Sequence, residues 1–393
     1  MIQDAFLVFS DSRLNHVSNS TNDKKNVSSL FSETEIKQAY KSISTWPGYR
    51  PSPLLSLAGL ASVLSVRKIL YKDESNRFGL GSFKALGGAF AVSQMANAKT
   101  EKPGALTVTT ATDGNHGRSV AWGARQHGHR AVIYIHAEVS PGREQALKDQ
   151  GAEVVRVAGN YDDSVRICYE AAAENGWDVV SDTTYDGAGH EVARTVMLGY
   201  SAMVSELVAQ FGDDIPTHVF VQGGVGGLAA TVCECFRVAY EDQAPRTIVV
   251  EPELAACLYE SARNKAPTTV EIVNETVMAG LSCGEVSSVA WPVLRDHADD
   301  FMTISDSIVA PTMTLLRDSP FGDAPIVAGE SAVAGLAGFI AARQKAGVSD
   351  ALNLDDDSRI LVLGTEGATD PAVYERMTGW TVDGLARSGV SGG

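Results

Sequence analysis

The chain has 393 residues, 44% hydrophobic and 20% charged, and carries no long biased tract after its N-terminal segment; it exceeds the ~250–300 residues at which single cores stop growing, so two lobes are expected. A formal net charge of −16 with no offsetting basic run sets a long-range field against nucleic acid and acidic membrane surfaces. The start Met-Ile-Gln-Asp lacks a basic leader, Ala332–Ala342 is far short of the ~20 apolar residues of a membrane span, and five cysteines are too few for a disulfide framework, so a cytoplasmic enzyme is expected.

In chain order, residues 13–29 are poor in apolar side chains and rich in turn formers, which predicts a mobile arm or surface lid. Ser32-Glu-Thr-Glu reads as a capping pattern opening a helix to about Ile43, and Tyr49-Arg-Pro-Ser-Pro-Leu runs extended because its prolines forbid helix. Residues 72–88 then place Lys84 behind a glycine-bearing turn and ahead of Ala85, Leu86, Gly87 and Gly88, in a locally uncharged stretch. Burial there would favour a neutral amine able to attack a carbonyl, and a Schiff base with pyridoxal phosphate is the chemistry such an amine best serves. A surface lysine at a helix start is the competing reading.

Beyond Lys84, short β-branched runs alternate with helical periods, the rhythm of βαβ units and a parallel sheet. The strands are predicted at Leu106–Thr110, Ala131–His136, Glu153–Ala158, Asp178–Ser181, His218–Gln222, Thr247–Glu251, Phe301–Ile304 and Arg359–Leu363. Helices are predicted at Pro141–Gln150, capped by Ser140, and at Tyr161–Asn175. Ligands of such sheets sit at the carboxyl ends of strands, where the unusual loops are Thr112–Gly117, Asp182–Gly187, Gly223–Gly227 and Gly364–Asp370.

Gly223-Gly224-Val225-Gly226-Gly227 follows a strand and opens a helix, so its backbone N–H groups suit a phosphate. The same residues read G-x-G-x-x-A from Gly224 to Ala229, with Glu251 where a ribose-binding acid would close the next strand, so a nicotinamide dehydrogenase is a rival. The fingerprint's place past the chain midpoint favours a single phosphate ester. Among the cysteines, Cys257 and Cys283 are separated enough to meet in space, which leaves a bridge between them open.

Taken together, Ser82-Phe83-Lys84, Asp113-Gly114-Asn115-His116-Gly117 and the glycine loop have the order and spacing of the fold type II, tryptophan-synthase-β-like pyridoxal-phosphate enzymes. Within that group the chain most resembles the diaminopropionate ammonia-lyases. The likeness is carried by Gly48-Tyr-Arg-Pro-Ser-Pro-Leu, Lys72-Asp-Glu-Ser-Asn-Arg-Phe-Gly-Leu, Ala111-Thr-Asp-Gly-Asn-His-Gly-Arg, Met278-Ala-Gly-Leu-Ser-Cys-Gly-Glu, Ser319-Pro-Phe-Gly and Thr365-Glu-Gly.

The resemblance implies an α/β fold of two lobes, each with a mostly parallel twisted sheet flanked by helices: a mobile arm over 1–30, a large cofactor-binding lobe over 31–84 and 186–393, and a small lobe over 85–185. It implies pyridoxal 5'-phosphate held by Lys84 as a Schiff base, with Phe83 beside it. The amides of Gly223, Gly224, Val225, Gly226 and Gly227 would hold the phosphate, Asn115 the phenolic oxygen, and Thr365 the neighbourhood of the pyridine nitrogen. Asp113 and Asp182 match the family's two proton abstractors at Cα, with desolvation expected to raise the carboxyl pKa toward the working pH; each is also open to reading as a helix or loop cap. The implied reaction eliminates ammonia from 2,3-diaminopropionate to give pyruvate and a second ammonia, in a homodimer, with no metal. Around Asp182–Tyr200 the chain departs from the family, so a dehydratase of serine, threonine or a 3-hydroxyaspartate is the alternative, with Ala188 reshaping the pocket and His190 or Arg194 meeting an extra carboxylate.

Overall fold

The computed structural model describes residues 6–19, 29–99, 104–112, 114–184 and 189–381. Its strands in chain order are β1 (Leu14–Ser18), β2 (Leu54–Ser56), β3 (Lys68–Asp73), β4 (Thr107–Ala111), β5 (Arg130–Ile135), β6 (Glu153–Arg156), β7 (Asp178–Val179), β8 (His218–Gln222), β9 (Arg246–Pro252), β10 (Asp300–Ile304) and β11 (Arg359–Gly364). All eight strands expected from the apolar runs are present, together with three that those runs did not announce.

The chain forms two compact units, Met1–Glu33 with Pro51–Asn76 and Val204–Gly393, and Thr34–Arg50 with Arg77–Met203. These bounds differ from the lobes expected at 31–84, 85–185 and 186–393. Lys84 falls in the second unit because helix Lys84–Lys99 packs along helix Asn115–Gln126 and carries its own start with it.

The first unit is a seven-stranded sheet in the order β1-β10-β9-β8-β11-β3-β2. Its five central strands are parallel and its two edge strands antiparallel. Central strands covered on both faces read as unbroken apolar runs, and β8 is buried at every position. Helix Ala334–Arg343, buried at nearly every position, packs against this sheet through Leu336, Phe339 and Ile340. Residues 14–18, expected within the mobile arm, are instead β1, paired in register with β10. Their polar side chains are partners, not solvated tails: His16 Nε2 lies 2.8 Å and Ser18 Oγ 2.9 Å from the buried Asp300 carboxylate, which Arg246 also clasps at 2.7 Å.

Strand β3 carries a buried charge. Lys72 Nζ donates to Glu206 Oε2 at 2.8 Å, to Gln210 Oε1 at 2.9 Å and to the Ser52 carbonyl at 2.9 Å, and neither Lys72 nor Glu206 exposes any of its side chain. Removing one partner strands the other charge in a low-dielectric interior, which costs about 3–5 kcal/mol. Lys72→Met is therefore expected to lower the unfolding free energy by about that amount, with Lys72→Met/Glu206→Gln recovering part of it. A urea midpoint unchanged in the single variant would refute the pairing.

The second unit is a four-stranded parallel sheet, β6-β5-β4-β7. Ser140 caps helix Pro141–Asp149 by accepting from the Arg143 amide, and Asn160 and Asp163 form a capping box on Tyr161–Asn175, as the local patterns require. Helix His190–Phe211 is the only one of the described residues long and apolar enough to cross a membrane, and 67% of its apolar window is buried inside the fold.

Candidate active site

In the second unit the turn ahead of Lys84 passes through Phe78 at φ 53°. A bulky residue in the left-handed region costs about 1–3 kcal/mol. The Phe78 ring lies 4.9 Å from that of Trp122 and 5.8 Å from that of Trp46, and such pairs contribute about 0.5–1.5 kcal/mol each beyond their burial. An aromatic cluster thus offsets the strain of the turn that presents Lys84.

Helix Lys84–Lys99 begins at the carboxyl edge of the small sheet, and Lys84 Nζ donates there to Asp182 Oδ2. The side chains are 26% and 22% exposed. Burial alone would raise the Asp182 carboxyl, but the charges of His116 and Lys84 and the Lys84 hydrogen bond outweigh it and hold it well below the usual carboxylate range. The expectation of an acid tuned upward is reversed at Asp182. His116 Nε2 donates to the Val180 carbonyl at 2.8 Å, and its Nδ1 stands 3.8 Å from Asp182 Oδ2. Burial lowers the His116 pKa, with Asp182 pulling it back up. Phe83 is buried with its ring 4.7 Å from that of Tyr200, and burial raises the Tyr200 phenol far above its ordinary value.

Thr112, at the end of β4, accepts from the amides of Gly114 at 3.0 Å and Gly117 at 3.3 Å. Thr112 thus takes the amide just ahead of helix Asn115–Gln126 and the third amide of the helix itself. Asp113 itself lies outside the described residues, as does Ala188. Strands β4 and β7 are parallel neighbours, so the loops bearing Asn115 and Asp182 leave the same edge. Arg194 pairs with Glu35 at 2.6 Å, and His190 is exposed.

In the first unit Gly223–Gly227 links β8 to helix Gly227–Tyr240. Gly226 sits at φ 102°, and a Cβ on Gly223 would meet Val249, Glu251 and Leu258 at 2.8–2.9 Å. Glycine is required at both for the turn to close. Among the described residues no acceptor takes the amides of Gly224, Val225, Gly226 or Gly227, which leaves four N–H groups at a helix N-terminus, the constellation that binds a phosphate. Thr365 follows β11, the neighbour of β8, and is 4% exposed. Gln222, the last residue of β8, donates to the Leu363 and Ala332 carbonyls at 2.6 and 2.7 Å and reaches Thr365 Oγ1 at 3.5 Å.

The dinucleotide reading fails at Glu251. The residue closes β9 beside β8, but its two oxygens accept the Leu258 and Tyr259 amides at 2.9 and 2.6 Å, capping helix Cys257–Asn264. Burial pushes its carboxyl up to about 8. A ribose has no access to it. Cys257 donates to Gly224 O at 3.6 Å, and it and Cys283 are free thiols, as are the other three cysteines.

Residues 45–365 match the family described as "Pyridoxal-phosphate dependent enzyme". The chain is 39% identical over 374 residues to a diaminopropionate ammonia-lyase of Escherichia coli (strain K12), covering 89% of this chain and 92% of that one. It is 36% identical over 356 residues to the Salmonella typhimurium protein of the same name, at 84% and 88% coverage. The crystal structure of the Escherichia coli lyase in complex with an aminoacrylate-PLP azomethine reaction intermediate aligns with a TM-score of 0.87 at 36% identity, over 93% of this chain and 97% of that one. The chain belongs to the pyridoxal-phosphate-dependent enzymes, and within them to the diaminopropionate ammonia-lyase family.

The residues present fit that family's cofactor: an accessible lysine amine, four unclaimed amides in a glycine cup, and a neutral threonine hydroxyl. Sequence reasoning named each of these. It assigned no role to His116, Tyr200 or Gln222. Gln222 had a signal, a lone amide closing an apolar strand directly before the glycines; Tyr200 had none, since one tyrosine on a long apolar helix reads as core.

Proposed function

We propose that this chain is a pyridoxal-phosphate-dependent ammonia-lyase converting 2,3-diaminopropionate to pyruvate and two ammonia, working as a homodimer in the cytoplasm. The observation that carries the reading is a carboxylate, Asp182, held ionised beside the Lys84 amine at the edge where β4 and β7 end. An anion there suits a substrate whose leaving group is a β-ammonium, where a dehydratase faces a neutral hydroxyl. Pyridoxal phosphate, when bound, supplies an aldehyde carbon for amines and a conjugated ring that takes up the electron pair left on Cα.

The chain's own groups do the rest. Lys84 would hold the cofactor through its amine. The amides of Gly224, Val225, Gly226 and Gly227 would bind the phosphate, with the helix N-terminus adding favourable potential, whereas the Gly223 amide expected among them donates instead to the Val250 carbonyl at 2.8 Å. Asn115 would hold the phenolic oxygen, Thr365 would be the neutral partner of the pyridine nitrogen, and Phe83 would flank the cofactor beside the lysine. Asp182 takes the α-proton from one enantiomer and Asp113 from the other. Five free thiols agree with a reducing compartment, and the two-chain assembly is the family's expectation, checked by sedimentation of the holoenzyme.

Pyruvate and ammonia measured from D- and L-diaminopropionate, serine and threonine decide the substrate. Two ammonia per pyruvate, with kcat/KM for diaminopropionate ~10²-fold or more above serine, is the expected result. One ammonia per pyruvate, with serine or threonine preferred, would make the enzyme a dehydratase.

A further inference from the structure

His116 has no hydrogen-bond partner at Nδ1 among the described residues, although the ring is 6% exposed. Its other nitrogen settles the tautomer. The Val180 carbonyl only accepts, so Nε2 at 2.8 Å carries the hydrogen and Nδ1 of the neutral ring bears a lone pair. That lone pair faces Asp182 Oδ2 across 3.8 Å. A buried ring nitrogen left bare costs stability unless it has work to do. The charged and titratable groups facing the ring are Asp182, from the loop after β7, and Lys84, from helix Lys84–Lys99.

We propose that His116 is the proton acceptor for Asp182: the α-proton taken by Asp182 Oδ2 moves on to His116 Nδ1, returning Asp182 to its ionised form within the turnover. The inference rests on the reading of Asp182 as a base at Cα. The Cα–H bond breaks and an O–H bond forms on Asp182, then an N–H bond on His116, while the electron pair stays with the substrate. The β-ammonium leaves as neutral ammonia with its C–N pair, so the Asp182–His116 pair holds one extra proton until it is lost to water. Imidazole exceeds a carboxylate in ordinary basicity by roughly 2.6 units, ~400-fold, so the proton rests on the histidine. Imidazolium then donates from Nε2 to Val180 and from Nδ1 to the Asp182 carboxylate, with both nitrogens satisfied. His116 is in this sense a positioning residue, acting through Asp182.

The test uses holoenzyme carrying His116→Gln and the enantiomer that depends on Asp182. The expected result is a fall in kcat of ~10²-fold or more with KM and cofactor absorbance unchanged. The α-deuterium isotope effect on kcat should shrink, because the step that is slowed follows Cα–H cleavage. The acid limb of kcat/KM, which in the unsubstituted enzyme lies below the ordinary imidazole value of ~6.5 because burial lowers His116, should move lower still, to where Asp182 alone sets it. A kcat and acid limb identical to the unsubstituted enzyme overturn the inference.

Asp182→Asn separates that outcome from failure of the reading beneath it. Full activity of Asp182→Asn toward both enantiomers removes Asp182 as a base; inactivity toward one enantiomer, with His116→Gln at the unsubstituted rate, removes only the histidine's role. Should glutamine disturb folding, ¹⁵N spectra of histidine-labelled unsubstituted holoenzyme decide. A bare Nδ1 and protonated Nε2 at about pH 8 support the relay, and a protonated Nδ1 there overturns it.

Discussion

Lys84→Ala is expected to lower kcat by ~10⁴-fold or more, the order seen when a covalent catalytic group is removed, while leaving the fold intact. The fold should survive because Lys84 is 26% exposed and pairs with a carboxylate that is also partly exposed; such a pair contributes about 0–1 kcal/mol to stability. The surrounding turn is held by the rings of Phe78, Trp46 and Trp122, none of which touches the lost amine's chemistry. Two further readouts locate the loss. The visible absorbance of the purified protein should vanish, and borohydride, which in the unsubstituted enzyme adds cofactor mass to the Lys84 peptide, should label nothing. Full activity in the alanine variant, or label on another lysine, would defeat the assignment. Far-UV dichroism and the melting temperature should stay close to those of the unsubstituted enzyme, because helix Lys84–Lys99 gains rather than loses propensity when alanine opens it.

What the sequence made legible follows from how much of the physics is local. The strand β8, His218–Gln222, is apolar at its centre and ends on glycines, so both its existence and its phosphate-suited exit are written in consecutive residues. Lys84 stood out because a lysine among small apolar residues is costly without a purpose. Strand β3 stayed hidden because Lys72 and Asp73 look solvated until Glu206, more than a hundred residues later, arrives to neutralise the lysine. Strand β1 hid for the same reason, its polar residues answering a buried Asp300 far along the chain. The candidate site divides likewise. Its amides, lysine and threonine are legible as motifs, but the sign of the Asp182 shift is not, since it depends on His116 and Lys84 meeting one carboxylate in space. Burial does push the Asp182 carboxyl upward, but the charges of His116 and Lys84 outweigh it.

Exchanging each aspartate for asparagine in turn should split the two enantiomers of diaminopropionate. Mirror-image substrates bound through the same amine present their α-hydrogens to opposite faces, so a base within hydrogen-bond reach of one is out of reach of the other. Asparagine keeps the size and one acceptor of the carboxylate but removes its basicity. Asp182→Asn is expected to slow one enantiomer by ~10²–10⁴-fold and the other by far less, and Asp113→Asn to give the reverse pattern. Asp182→Asn has a second consequence, since it takes from Lys84 its hydrogen-bonded counter-charge and from His116 the group that raises its pKa. Cofactor absorbance must therefore be matched between variants before rates are compared. Equal losses toward both enantiomers in each variant, with cofactor content preserved, would mean that the carboxylates serve the substrate's ammonium group as anchors and that the α-proton leaves by another route.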